Sequence, residues 1–298
     1  MLLSHRHIGC PGLDASLETQ ALVHSAYRVH LVTNRGVVCE DDLIRRAFAR
    51  KGAVGRPVLT VVLEGRARLR VGDDRSHWLG PGDVAIFPSK ESLSMRQEGD
   101  TFASIAVEWD PGTLASRAEN SFGTVDERSR RRLAEVARGM ITTDQEAIDI
   151  AAGCLAQMLD VLRAQGVPFG RADPGALIEA VTPRERALSG TLDRLLCRLY
   201  EQPMAIDLHT ALGLSARQAT RIVAAFNARY GFNAGGWRDA VNRRRVGVGA
   251  ALMSSPRATT ERVAARLGYS SPTAFCRAMA SAGLPAPGAV AREVESLR

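Results

Sequence analysis

The sequence predicts an α+β protein, with an antiparallel β-barrel and packed helices in the N-terminal half and an all-α region after it. Three observations predict this. Residues 58–109 contain short, β-branched or alternating runs separated by Gly/Pro corners. After residue 126 the hydrophobic period lengthens from two to about 3.6 residues. From residue 184 onward, two apolar-periodic helix pairs are each broken at a Gly-x-Ser corner, Gly213-Leu214-Ser215 and Gly268-Tyr269-Ser270.

Taken in order, the opening MLLSHRHIGCPGLD has no apolar run behind a basic start, so no secretory signal is expected. It reads as an N-terminal arm outside the barrel pattern. YRVHLVTNRGVVC supplies one or two strands. PVLTVVLEG ends at Gly65, RARLRV alternates polar and apolar residues before Gly72-Asp73-Asp74, and HWL leads into Gly80-Pro81-Gly82-Asp83. VAIFP and FASIAVEW complete the strand set, which suits a sandwich or small barrel. Residues 127–141 and 145–165 read as helices. The second carries Ile148, Ala151, Ala152, Leu155, Leu159 and Leu162 along one side, a stripe that must bury itself against its own sheet or in a homodimer. Residues 166–183 are rich in Gly and Pro and mark a boundary, giving a sensing or dimerisation domain over 1–165, a linker over 166–183 and a helical domain over 184–298.

The charge follows this division. Residues 1–183 carry 22 basic and 24 acidic side chains, and residues 184–298 carry 17 and 8, within a net charge of +7. A basic C-terminal third behind a near-neutral front is what a region facing a polyanion requires. No stretch has the length and purity of a membrane span. Cys10, Cys39, Cys154, Cys197 and Cys276 are scattered without a CxxC pair, as in reduced, cytoplasmic proteins.

Each corner has the chemistry of a helix-turn-helix. In TTERVAARLGYSSPTAFCRAM, Thr259 or Thr260 caps the first helix, and Val263, Ala264 and Leu267 form its inner side. Gly268 allows the left-handed turn, Ser270 caps the second helix and Pro272 sits early in it. AIDLHTALGLSARQATRIVAAF repeats the plan 55 residues upstream, and a helix carrying Arg243, Arg244 and Arg245 connects the two. A helix fits the DNA major groove with its exposed early residues at base edges. Those residues are Arg217, Thr220 and Arg221 in the first module and Thr273, Cys276 and Arg277 in the second. Arg243–Arg245, Ser215, Ser270 and Ser271 are candidates for phosphate contact or capping. The arginine run also suits a solvated face with internal ion pairs.

LGLSARQATRIVAAFNARYGFN and ARLGYSSPTAFCRAM resemble the DNA-binding region of the AraC/XylS family of transcription regulators over about residues 187–294. The resemblance implies that both recognition helices enter successive major-groove segments, with the six base-facing positions named above, and that Ser215 and Ser270 are N-caps. Three departures stand out. His209 occupies the small crossing position that Ala264 fills in the second module. AMASAGLPAPGAVARE replaces the family's basic and aromatic run, and Pro285-Ala286-Pro287 replaces its Ser-Pro. LTVVLEGRARLRVG and LGPGDVAIFP resemble the family's cupin-like sensor domain. Cupin enzymes hold a metal with His-x-His, Glu and a later His. Here His77 stands alone in the strand region and His5-x-His7 lies in the arm, so no metal and no cofactor is expected.

The sequence therefore reads as a cytoplasmic regulator that binds double-stranded promoter DNA, forms a homodimer and answers a small-molecule effector. RNA polymerase is a further candidate partner and no membrane association is expected. Arg45, Arg46 and Arg50 in IRRAFARKG have spacing similar to that of cyclic-dinucleotide-binding proteins and form a candidate phosphate clamp. The alternatives are an ordinary solvated basic run for that segment, and, for the whole chain, a cupin-fold enzyme with a helical appendage or a protein-recruiting regulator with weak direct DNA contact.

Overall fold

The computed structural model describes residues 1–38, 56–71, 75–87, 93–110, 121–142, 148–166, 179–230, 232 and 235–295. The proposed clamp of Arg45, Arg46 and Arg50 lies outside the described residues.

Among the described residues, eight strands build one antiparallel sheet: β1 (Leu2–Cys10), β2 (Ala15–Val23), β3 (Tyr27–Arg35), β4 (Val58–Val71), β5 (Arg75–Leu79), β6 (Asp83–Phe87), β7 (Leu93–Trp109) and β8 (Ser121–Thr124). Their order is β1-β2-β3-β7-β4-β6-β8, and β5 pairs with β4. The N-terminal segment is not a free arm. β1 and β2 form a hairpin paired from Leu2↔Val23 to Cys10↔Ala15, which places His5 and His7 inside a strand.

Helices α1 (Glu127–Thr142) and α2 (Ile148–Ala164) pack on this sheet. Val29, Leu59, Val61, Ile105 and Val107 of the strands share a core with Leu133 and Val136 of α1 and with Ala152, Leu155, Leu159 and Leu162 of α2. Ala152, Leu155, Leu159 and Leu162 of the α2 stripe are thus spent on their own sheet, the first of the two burials that its pattern allows. Its outward Ile150 is exposed.

The C-terminal region is helical: α3 (Pro183–Cys197), α4 (Ala205–Leu212), α5 (Ala216–Arg229), α6 (Trp237–Met253), α7 (Thr260–Arg266), α8 (Pro272–Ser281) and α9 (Pro287–Glu295). Thr182 and Glu185 cap α3 reciprocally, with Pro183 in the first turn, where its missing N–H costs nothing. The core of this region extends across the domain boundary. Ile8, Cys10, Leu13 and Leu17 of the β1–β2 hairpin are buried in one cluster with Leu188, Leu192, Leu196, Leu267 and Phe275. β1 is an edge strand, and α3 covers it. The His5 amide donates to Asp193 Oδ2 (3.1 Å) and the His7 amide to Cys197 Sγ (3.3 Å). Asp193 and Cys197 lie one helical turn apart on α3, so one face of the helix satisfies two edge amides that would otherwise template aggregation.

Candidate nucleic-acid interface

The first module is α4, a left-handed Gly213 (φ 62°) and α5. Ser215 caps α5: its Oγ accepts from the Gln218 amide (3.4 Å), and Gln218 Oε1 accepts from the Ser215 amide (3.0 Å). Ala219, Val223 and Phe226 face the core, which turns Arg217, Thr220 and Arg221 outward and leaves all three exposed. Ser215, Arg217, Gln218 and Arg221 line one open cleft. The Thr220 hydroxyl donates to the Ala216 carbonyl (2.9 Å), which fixes its rotamer and leaves its lone pairs outward.

The second module is α7, Gly268 (φ 72°) and α8. Thr259 caps α7 by accepting from the Arg262 amide (3.3 Å). The cap of α8 is Ser271, and not Ser270 as the family resemblance implies: Ser271 Oγ accepts from the Ala274 amide (3.1 Å). The reason is local. Pro272 occupies the first helical position and forces the residue before it to be extended, and Ser271 sits at φ −162°, ψ 159°. Thr273 and Arg277 are exposed, whereas Cys276 is half-buried with a free thiol. No acidic residue stands in the first turn of α5 or α8, so the positive end of each helix dipole is uncompensated where a phosphate would arrive.

The arginine run of α6 does not form a phosphate-facing set. Arg243 pairs with Asp239 one turn earlier (2.9 Å). Arg244 turns inward: its Nε and Nη2 are buried without hydrogen-bond partners, and burial, with Arg6 nearby, pushes its guanidinium down to about 10. Arg245 lies over the Tyr269 ring (5.6 Å) and donates to the Leu199 carbonyl (3.5 Å), and burial lowers its pKa as well. Three consecutive helical residues point about 100° apart, so the run could not present one charged face.

Charges that the sequence did not single out join the sheet to both modules. Arg266 Nε donates to the Gly9 carbonyl (2.6 Å), Arg262 to the Gly12 carbonyl (3.0 Å), and Arg257 pairs with Asp14 (3.2 Å). Asp193 accepts from Ser4 Oγ (3.0 Å) and Arg6 Nε (2.7 Å). Arg28 lies over the Phe232 ring (4.7 Å) and donates to the Tyr230 carbonyl. Arg229, which ends α5, bridges Glu185 (2.6 Å) and Glu179 (2.9 Å), and the Glu179 carboxylate also accepts from the Ser25 amide (3.0 Å). Burial raises the Glu179 carboxyl, but the bonds from Arg229 and Ser25 outweigh it and hold the group below the ordinary carboxylate range. Long-range partners of this kind leave no periodic signal in sequence.

His209 is half-buried at the crossing of the first module. His5 pairs with Glu18 (2.8 Å), and His77 stacks on Phe122 (4.2 Å between centroids). Among the described residues no group of three or more His, Cys, Asp or Glu could hold a metal ion, and no helix is long and apolar enough to cross a membrane.

No protein-family model and no curated protein matches the chain. Among solved structures it is similar to the AraC-like transcriptional activator CuxR, at 14% identity over 78% of this chain and 80% of that one, with a TM-score of 0.35. It is also similar to ToxT from Vibrio cholerae O395, at 11% identity over 87% of this chain and 94% of that one, TM-score 0.34. The same ToxT bound to (E)-4-(8-methylnaphthalen-1-yl)but-3-enoic acid aligns at 10% identity over 92% and 100%, TM-score 0.36.

Proposed function

We propose that the chain is a sequence-specific DNA-binding transcription regulator. Residues 184–298 form a double helix-turn-helix reading head, residues 166–183 a connection, and residues 1–165 a sensing or dimerisation domain. The observation that carries the reading is the pair of capped, acid-free helix starts that hold Arg217, Thr220 and Arg221, and Thr273 and Arg277, outward on helices whose opposite faces are anchored by Ala219, Val223 and Phe226 and by Phe275 and Met279. Arg217 and Arg221 are one turn apart on α5, so both reach one groove, where each guanidinium can donate two bonds to a guanine edge. Cys276, half-buried, is a van der Waals neighbour of the bases and not a donor of the same weight. Dimerisation lets two such heads add their contacts on repeated half-sites. With Ala152, Leu155, Leu159 and Leu162 of α2 buried, the homodimer would use another face. A small-molecule effector acts by binding two arrangements of the sheet and reading head with different affinity.

The test is selection from a random duplex pool, followed by anisotropy on the selected site. R217A and R221A should each lose roughly 1–3 kcal/mol of discrimination at their own base pair. Equal loss of affinity for all sequences would make them backbone contacts. A pool that yields no preferred site, with or without cell extract as a source of effector, would overturn the reading.

A further inference from the structure

The polar face of the N-terminal sheet carries a charge pattern that the helical reading head does not use. Along β4, Ala67 and Leu69 are buried, whereas Arg66, Arg68 and Arg70 are exposed, because alternate side chains of a strand share one face. Cross-strand pairing sets Trp78 of β5 directly opposite Arg68 on one side and Arg96 of β7 opposite it on the other. Trp78 is 56% exposed, while the other two tryptophans, Trp109 and Trp237, are buried.

A structural role for this row would place carboxylates across from it. The register places Glu98 opposite Arg66, but gives Arg68 a second arginine and a tryptophan. Like charges directly opposite destabilise a sheet. Among the described residues none of Arg66, Arg68, Arg70 and Arg96 has an ion-pair partner. Arg68 donates to Ser76 Oγ (3.2 Å), and the Arg96 Nε is buried with no hydrogen-bond partner. The face therefore holds four guanidinium groups whose mutual repulsion an added polyanion would relieve.

The geometry narrows the anion. Alternate residues of a strand repeat every ~6.7 Å, close to the separation of successive phosphates along one nucleic-acid strand. An exposed indole beside a guanidinium offers a surface on which an unpaired base can stack, which a duplex cannot provide without opening. We infer that this face binds a single-stranded nucleic-acid segment, with phosphodiesters along Arg66, Arg68 and Arg70 and one base on Trp78. The inference goes beyond the duplex-reading function and shares no residue with it, so either can fail alone.

The experiment uses the full chain and a labelled oligothymidylate of about 12 nucleotides, a length within the usual site sizes for such surfaces, with a selected duplex and polyglutamate as parallel probes. Saturation should quench tryptophan emission, and W78F should abolish the quenching. W78A should weaken single-strand binding about tenfold. R66Q/R68Q/R70Q should weaken it further and reduce the salt slope by about 2, since each neutralised phosphate contributes about 0.7. R66K/R68K/R70K should restore the slope, all variants should keep the parent duplex affinity, and the glutamine triple should melt no lower than the parent, since it removes like-charge repulsion. The inference is overturned if the glutamine triple binds the single strand like the parent. It is equally overturned if R217A/R221A removes single-strand binding, or if duplex and polyglutamate binding fall as much as single-strand binding in the glutamine triple.

Discussion

Arg244 illustrates how one residue's role can invert between sequence and structure. In RRR it reads as one of three surface cations, yet its Nε and Nη2 are sealed between α6 and the β1–α3 seam, with Arg6 as a like charge and Asp193 as the compensating one. Its guanidinium is pushed down to about 10 from an ordinary value above 12. For a base, a lowered folded value means the charged form is disfavoured in the fold, so this group opposes folding at neutral pH, and the opposition fades as pH rises through about 10. R244M, which keeps the length and removes the charge, is expected to raise stability by about 1–3 kcal/mol at neutral pH. Urea denaturation measures this, and the salt slope of duplex binding should not change, because the Arg244 Nε and Nη2 are turned away from solvent. A lower slope in R244M would show that the residue swings out to the backbone on binding.

The two corners look equivalent as elements, and packing makes them different. Gly213 and Gly268 both adopt the left-handed conformation that a side chain resists at roughly 1–2 kcal/mol. Around Gly213 an added Cβ would meet nothing within 4 Å, whereas at Gly268 it would lie 2.3 Å from the Leu199 carbonyl oxygen. G213A should therefore cost about 1 kcal/mol, from backbone strain alone. G268A should cost about 3 kcal/mol or more, because α7 must part from the turn after α3. Thermal melts of the two variants, measured together, check the ordering, and equal losses would contradict the packing argument. The caps follow the same logic at smaller scale: Ser215 and Ser271 each satisfy an amide at a helix start, and Ala at either is worth about 1 kcal/mol.

At the scale of the whole molecule, the sheet and the C-terminal helices are joined through the β1–β2 hairpin. Asp193 accepts from Ser4, the His5 amide and Arg6, with its side chain only 10% exposed. D193A would leave an edge amide and a partly buried guanidinium without their acceptor. It is expected to cost roughly 3–5 kcal/mol and to separate the unfolding of sheet and helices into two transitions by far-ultraviolet circular dichroism and tryptophan emission, where the parent, with its shared core, should show one. The Glu179–Arg229–Glu185 bridge adds a pH dependence. Both carboxyls are held below the ordinary range, Glu179 by Arg229 and Ser25 and Glu185 by Thr182 and Arg229, in each case against burial. Their contribution is full above the unfolded glutamate value near about 4.3 and is lost as pH falls below it through the folded values. The melting temperature should drop across that acid window, and E179Q/E185Q should flatten the drop.

What the chain determined by sequence alone is everything that repeats or sits next to its partner. Short β-branched or alternating runs marked β4 to β7, period-3.6 runs marked α1, α2 and the helices around the two corners, and each Gly-x-Ser corner carried its turn chemistry within a few residues. The outward position of Arg217 and Arg221 was legible because the inner face of α5 is apolar and so leaves both outside. Even the cap at Ser271 was readable from Pro272, once the constraint on a residue preceding proline is applied. The tertiary structure decided what depends on partners far along the chain. It turned a polar N-terminal segment into the strand that both modules lean on, turned the Arg244 Nε and Nη2 inward, packed Ala152, Leu155, Leu159 and Leu162 of α2 on its own sheet, and left Arg66, Arg68 and Arg70 facing outward with no ion pair among the described residues. The physical reason is that a charge or an edge amide is neutral evidence until its neighbour is known. Its free energy is set by the dielectric and the partner across the fold, and neither is written within reach of a helical or strand period.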